Sequence, residues 1–207
     1  MRIIDCDQGT PEWHAARAGI PTASNFSAVL ANGRGGEASK TRRSYMLKLA
    51  GERLTGETME NPRTHHMERG TLMEDEARGY YELVTGSAVS RVGFIRNDLA
   101  GCSPDSLVGD TGMLEIKTAL PHILIDLILK GEFPPEHKAQ VQGQLWIAKR
   151  EWVDLEIYWP SLPPFIKRAW RDETYIANLA AAITRFNEEL EGIVAWVKAY
   201  GDDKRSA

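Results

Sequence analysis

Cysteine is scarce in this chain: the 207 residues hold two, Cys6 and Cys102. Two thiols build no disulfide framework, and no Cys/His grouping has the spacing of a zinc or iron–sulfur site. A reducing cytoplasm is the expected compartment. No apolar run approaches the roughly 18 residues that a membrane-spanning helix requires, and the first residues, Met1 to Asp7, carry acids too early for a secretory signal. His65 and His66 are adjacent, a poor spacing for joint metal ligation, and receive no metal. Internal repeats and low-complexity segments are missing. So is an excess of basic charge, because the formal net charge is −4. That balance sits awkwardly with a phosphate-binding surface, although a local basic face can coexist with it. Arg34, Lys40, Arg42, Arg43 and Lys48 form the densest basic run, opposed by Glu37. A phosphate-binding patch and a solvated helix face account for it equally.

What is present fits one compact domain spanning residues 1–207 with a full-sized core. The most informative stretch runs from Gly101 to Thr118. Leu114 to Thr118 alternate apolar and polar residues, which predicts a strand with Leu114 and Ile116 in a core and Glu115 and Lys117 on the opposite face. Gly109 to Gly112 predicts a hairpin turn. A three-residue loop pairs Val108 with Gly112 and places Asp105 opposite Glu115 and Ser103 opposite Lys117, unless a bulge at Pro104 shifts the register. Two carboxylates and an ammonium at one hairpin end suit a hard divalent cation, which needs one or two protein carboxylates and keeps several waters. The Ile116 carbonyl can add an oxygen, and Lys117 can stabilise phosphate charge or orient water. On spacing alone, a solvated strand face explains the pattern as readily.

The rest of the chain reads as follows. Thr10-Pro11-Glu12 predicts a helix start and Gly19 its end. Trp13 anchors that helix, and Arg17, one turn on, shares its face and can point into a site. Thr22-Ala23-Ser24-Asn25 predicts a second helix through Leu30. Its start favours anions, so Ser24 is either a terminal-phosphate ligand or a plain cap. Ser39 to Thr55 and Met67 to Thr85 predict longer helices, the second burying Leu72, Ala77, Tyr80, Tyr81 and Val84. Glu74, Asp75 and Glu76 follow one another on it, and spacing does not choose among them. Ser87 to Asn97 reads as one strand, and Cys102 as a small buried residue. Pro121 to Lys130 and His137 to Lys149 predict helices, with Gln140 and Gln144 on one face of the latter. Glutamine can position water or contact phosphate without adding charge. Glu151 to Trp159 predicts a strand, Phe165 to Trp170 an edge strand, and Asp172 onward a long helix frayed from Asp202. This order argues an α/β fold with a central mixed sheet flanked by helices.

Pro104-Asp105 followed ten positions on by Glu115-Ile116-Lys117 resembles the PD-(D/E)xK nuclease signature. Its company is more specific. Ser103-Pro104-Asp105-Ser106, Leu114 to Thr118, and Ala139-Gln140-Val141-Gln142-Gly143-Gln144-Leu145-Trp146 resemble the phage lambda exonuclease (YqaJ-type recombinase) family. Trp13-His14 through Ile20, Thr22-Ala23-Ser24, and Gly70 with Met73 to Ala77 match it in the same order. The resemblance covers roughly residues 12 to 160. It implies a restriction-endonuclease-like core and a magnesium-dependent 5′-to-3′ exonuclease, with manganese able to substitute. Linear double-stranded DNA would be shortened on one strand, leaving 3′ overhangs for recombination. A homotrimeric ring and a single-strand annealing protein as partner are also implied. Carried over residue by residue, Asp105, Glu115, the Ile116 carbonyl and Glu74 hold metal. Lys117 and Gln140 manage the attacking water and scissile phosphate, and Arg17, Ser24 and Ser103 hold the 5′-phosphate. An endonuclease on the same core and a non-catalytic DNA-binding module are the alternatives.

Overall fold

Two sheets organise the chain, whose computed structural model describes residues 1–33, 39–58 and 65–205. The smaller sheet is antiparallel and joins β1 (Arg2–Ile4), β3 (Phe94–Arg96) and β4 (Gly101–Cys102) in the order β1-β3-β4. The larger has the order β2-β5-β6-β7-β8, from β2 (Val89–Ser90), β5 (Ser106–Val108), β6 (Gly112–Thr118), β7 (Trp152–Tyr158) and β8 (Phe165–Trp170). Only β6 and β7 run parallel, so this sheet is mixed. A parallel pair needs a crossover, and α5 (Pro121–Lys130) and α6 (Lys138–Ala148) supply it. The remaining helices are α1 (Pro11–Arg17), α2 (Phe26–Val29), α3 (Lys40–Thr55), α4 (His65–Thr85) and α7 (Glu173–Arg205). This is the expected α/β architecture. Among the described residues no helix is long and apolar enough to cross a membrane. Arg34 and Glu37 of the basic run lie outside the described residues, as do the side chains of His65 and His66.

The local rules hold where caps are strong. The Thr10 hydroxyl accepts from the Trp13 N–H to start α1, Ser39 caps α3 through the Arg42 N–H, and Gly56 and Gly131 close α3 and α5 in the left-handed region. The hairpin register is the expected one, with Val108 opposite Gly112 and Ser106 opposite Leu114. Beyond Ser106 the ladder ends, and Asp105 leaves the strand.

Four expectations need correction. Ser87 to Asn97 is two strands in two different sheets. Gly93 lies between them so close to the Cys6 carbonyl that a side chain there would collide with it, and the chain crosses over at that point. Ala23–Asn25 is a single 3-10 turn and α2 has only four residues, so no extended helix start backs Ser24. On α4 the buried face is Ala77, Arg78 and Tyr81, whereas Leu72 and Val84 are exposed. The side chains that meet the sheet recur every fourth residue from Met73, and Leu72, Tyr80 and Val84 fall beside that line. Finally, α7 continues through Arg205 rather than fraying from Asp202.

The larger sheet is buried on both faces. Ala77 and Tyr81 of α4 pack on Leu114, Ile116 and Tyr158 on one side. On the other, α6 packs Val141 and Leu145 in a core with Met113 and Val153, and α5 packs Leu124 on Leu155 and Ile157. Strand β7 therefore carries two buried acids under α4. Asp154 is satisfied by Arg168 and by the Tyr81 hydroxyl, which donates to it at 2.7 Å. Glu156 is fully buried and neither oxygen has a hydrogen-bond partner among the described residues. Burial pushes its pKa up to about 8, against a small lowering by Arg78. A raised carboxyl pKa means that the folded chain keeps a proton that the unfolded chain loses. Glu156 thus carries no ionisation cost below the ordinary glutamate range, and that cost grows as pH rises towards 8.

Glu156→Gln is therefore expected to raise the melting temperature more at pH 8 than at pH 5.5. A gap of even one pKa unit corresponds to ~1.4 kcal/mol, or about 3 °C or more for a domain of this size. Paired thermal melts at the two pH values read the difference; an equal gain at both would mean that Glu156 is ionised in the fold.

Candidate active site

Strand β6 presents Glu115 to the face covered by α6, where it is 2% exposed. A carboxylate so buried requires donors, and it has three. Lys117 Nζ donates to Oε1 at 2.6 Å, Gln140 Nε2 donates to the same oxygen at 2.5 Å, and Gln144 Nε2 donates to Oε2 at 2.5 Å. Gln140 and Gln144 converge because they lie one helical turn apart on α6. That helix comes close because Gly143 rests against the Phe26 ring, where any side chain would collide.

Asp105 reaches the same place from the end of β5. Its N–H donates to the Leu114 carbonyl at 3.1 Å, and its Oδ2 accepts from the Ile116 N–H at 2.6 Å. The carboxylate thus takes the place of the next ladder partner. A strand residue's N–H and C=O leave the same edge, so the Ile116 carbonyl also points to the side where β5 has ended. Burial raises the Asp105 pKa well above the ordinary range, and Glu115 raises it further against the opposing pull of Lys117. For Lys117, burial works to lower the pKa, but Glu115 and Asp105 prevail and hold it above the usual lysine value.

Glu74 sits behind this pair on α4. Arg78, one turn along, binds the carboxylates of Glu74 and Asp75, donates to Ser106 Oγ at 2.9 Å and reaches the Asp105 carbonyl at 3.3 Å. Of the three consecutive acids, Glu74 is the one whose charge acts on both Asp105 and Lys117.

The second half of the site comes from α1 and the turn after it. Arg17 stacks over Trp13, its guanidinium carbon 3.8 Å from the ring centroid, and its NH1 lies 3.5 Å from Ser103 Oγ. Trp13 Nε1 donates to that same oxygen at 2.8 Å. Burial lowers the Arg17 pKa. The loop after Arg17 is fixed from behind by α3: Glu52 accepts from the Gly19 N–H, Arg53 donates to the Gly19 carbonyl, and the Tyr45 hydroxyl accepts from the Thr22 N–H. Ser24 is exposed and lies 3.3 Å from Thr22 Oγ1. One cavity of about 210 Å³ takes in Arg17, Ser24, Ser103, Asp105, Glu115, Lys117 and Gln140. Glu74 and Ile116 do not line it.

Gln144, Arg78 and the indole N–H of Trp13 are the members that residue patterns did not assign a role. Gln144 was visible as the i+4 partner of Gln140, and Arg78 as the i+4 partner of Glu74. The Trp13 bond spans 90 positions and leaves no local trace.

The donor set is all oxygen: two carboxylates and a carbonyl. Among the described residues, no three His, Cys, Asp or Glu side chains gather closely enough to hold an ion by themselves. That set fits a hard divalent cation that keeps part of its water. The crowding of Asp105 against Glu115 gives such a cation a reason to bind, since one ammonium faces a buried and a half-buried carboxylate.

Over residues 12–151 the chain matches the YqaJ-like viral recombinase domain, and it belongs to that family. An alkaline exonuclease from Laribacter hongkongensis (LHK-Exo) is similar in structure, with a TM-score of 0.85 and 36% identity over 94% of this chain and 99% of that one. The same enzyme in complex with dAMP matches with a TM-score of 0.85 and 35% identity over 94% and 99% of the two chains. A phage-related exonuclease from Haemophilus somnus shares the fold, with a TM-score of 0.70 at 12% identity over 89% and 99%. No curated protein matches the chain. The fold is accordingly restriction-endonuclease-like.

Asp105→Asn keeps an oxygen for the Ile116 N–H and removes one of two crowded charges. In metal-free buffer it is expected to stabilise the fold by about 1–2 kcal/mol, the usual gain when a functional site's strain is relieved. Chemical denaturation checks this; a destabilised variant would mean that Lys117 already compensates both carboxylates.

Proposed function

We propose that this chain is a DNA exonuclease that uses a divalent metal, magnesium by preference with manganese able to substitute. It degrades one strand of linear double-stranded DNA from the 5′ end, and the 3′ overhang passes to a single-strand annealing protein for recombination. The observation that carries this reading is the sharing of one cavity by Asp105, Glu115 and Lys117 with Arg17, Ser24 and Ser103. Bond-breaking groups and cationic or hydroxyl groups suited to a terminal phosphate lie within about 210 Å³, which favours a chain end over a continuous duplex. That LHK-Exo forms a complex with dAMP supports a mononucleotide-sized site here.

Asp105, Glu115 and the Ile116 carbonyl would hold the metal, with Glu74 as the further acid. The bound ion would supply Lewis-acid polarisation of the scissile phosphate. Lys117 and Gln140 both touch Glu115, so they are placed to orient the attacking water and to offset charge on the phosphate. Gln144 fixes the other oxygen of Glu115 and limits the rotation of that carboxylate. Residues 1–207 act as one nuclease domain in the cytoplasm. A homotrimeric ring is part of the proposal. Exposed Leu72 and Leu83 on α4 and Ile125 and Leu129 on α5 supply apolar surface for assembly. Enclosure of the DNA also suits a net charge of −4.

Digestion of linear duplex DNA in magnesium, with a covalently closed circle alongside, tests the reading. The expected outcome is loss of the 5′-phosphorylated strand, an intact complement, an intact circle and complete arrest by chelation. Cutting of the circle would establish an endonuclease, and no cutting with either metal a binding module. Lys117→Ala is expected to slow cleavage at least about 100-fold while a gel shift still shows DNA binding. Normal turnover by that variant would remove Lys117 from the mechanism.

A further inference from the structure

The hydroxyl of Ser103 has one proton to give and two lone pairs to receive with. In this structure both lone pairs face donors that cannot act as acceptors. The Trp13 indole N–H lies 2.8 Å from the oxygen, and the Arg17 guanidinium NH1 lies 3.5 Å from it. An indole and a guanidinium have no acceptor to offer in return. The Ser103 proton is therefore left over, and no acceptor for it exists among the described residues. Ser103 is half-buried and lines the cavity, so its one remaining hydrogen-bonding capacity is that of a donor.

Trp13 also acts with its ring face. Arg17 lies flat over it at 3.8 Å, within the range of a cation–π contact. The ring edge thus fixes the polarity of Ser103 while the ring face holds the orientation of Arg17. Together they present the cavity with N–H and O–H groups only.

We infer that Trp13 is a specificity-determining positioning residue: by occupying the acceptor side of Ser103 it makes this end of the cavity select a phosphate over a hydroxyl. A terminal phosphate brings acceptor oxygens alone and satisfies the spare proton and the guanidinium together. A terminal hydroxyl can accept the spare proton, but it carries no charge for the guanidinium and its own proton meets no free lone pair on Ser103. The inference rests on the reading of this cavity as the site of a 5′-phosphorylated DNA end.

Trp13→Phe keeps a ring under Arg17 and deletes the N–H. Once one lone pair is free, the Ser103 hydroxyl can rotate and either give or accept. The expected result is a fall of about tenfold in kcat/KM on 5′-phosphorylated linear duplex, the size of one hydrogen bond to a charged group. Cleavage of the 5′-hydroxyl duplex falls less, because the freed lone pair can accept from it, so the ratio of the two kcat/KM values narrows. A fluorescence-anisotropy titration without metal is expected to show the same loss of preference between the two ends. Because Trp13 acts through Ser103, the double variant Trp13→Phe/Ser103→Ala should discriminate no worse than Ser103→Ala alone. Three outcomes overturn the inference. Ser103→Ala loses the preference while Trp13→Phe keeps it, which leaves the phosphate site standing without Trp13. Both ends fall equally in Trp13→Phe, which makes the indole a packing residue. Wild type shows no preference between the ends, in which case the phosphate-site reading itself fails.

Discussion

A carboxylate removed from water is the constraint on which this structure turns. Glu115 sits on a strand whose two faces are both covered, and no solvent solvates its charge. Each of its oxygens must be met by a donor, and the chain meets them with one lysine and two glutamines. A purely cationic cage would neutralise the site. Amides satisfy the oxygens and leave the charge in place, which preserves a site that attracts a metal ion. The close approach of α6 through Gly143, the early end of β5 at Ser106 and the turn of Asp105 inward all serve that one buried group.

Much of the β5–β6 hairpin was legible in the sequence because its rules are local. Alternation placed Glu115 and Lys117 together on one face, and the glycine-rich turn set the register as far as Ser106. What local rules did not reach was the departure of Asp105 from the ladder, where a side chain replaces a backbone partner. The same limit explains β7. Its alternation of apolar and polar residues suggests one solvated face, yet Asp154 and Glu156 lie under α4. Asp154 is met by a tyrosine 73 positions away and an arginine on the next strand, pairings that only the tertiary fold creates. The exposed apolar residues of α4 failed for the complementary reason. An apolar residue is counted as core by pattern, but Leu72 and Val84 lie beside the line that meets the sheet.

The two ends of the cavity are held in different ways. The carboxylate end is built on the interior of a sheet, where position is fixed by the β7 ladder on one side and by the Asp105 carboxylate on the other. The Arg17 end is the last turn of α1 and the loop that follows it, and the order of that loop comes from outside itself. Glu52, Arg53 and Tyr45 of α3 bind the backbone at Gly19 and Thr22. Two of those residues, Tyr45 and Arg53, are ordered in turn by α7. Phe186 packs on the Tyr45 ring, and Arg53 is paired with Glu191 and reaches Asn187.

That dependence gives the molecule a temporal order. Helix α7 leaves the ribosome after every other element of the site. Until it docks, Tyr45 lacks its partner ring and Arg53 lacks its carboxylate, so the loop that follows Arg17 lacks part of its backing. A nascent chain with Asp105, Glu115 and Lys117 already translated therefore has that end of the cavity still to complete. The architecture makes the last of these elements to be translated the one that steadies the cavity's second end.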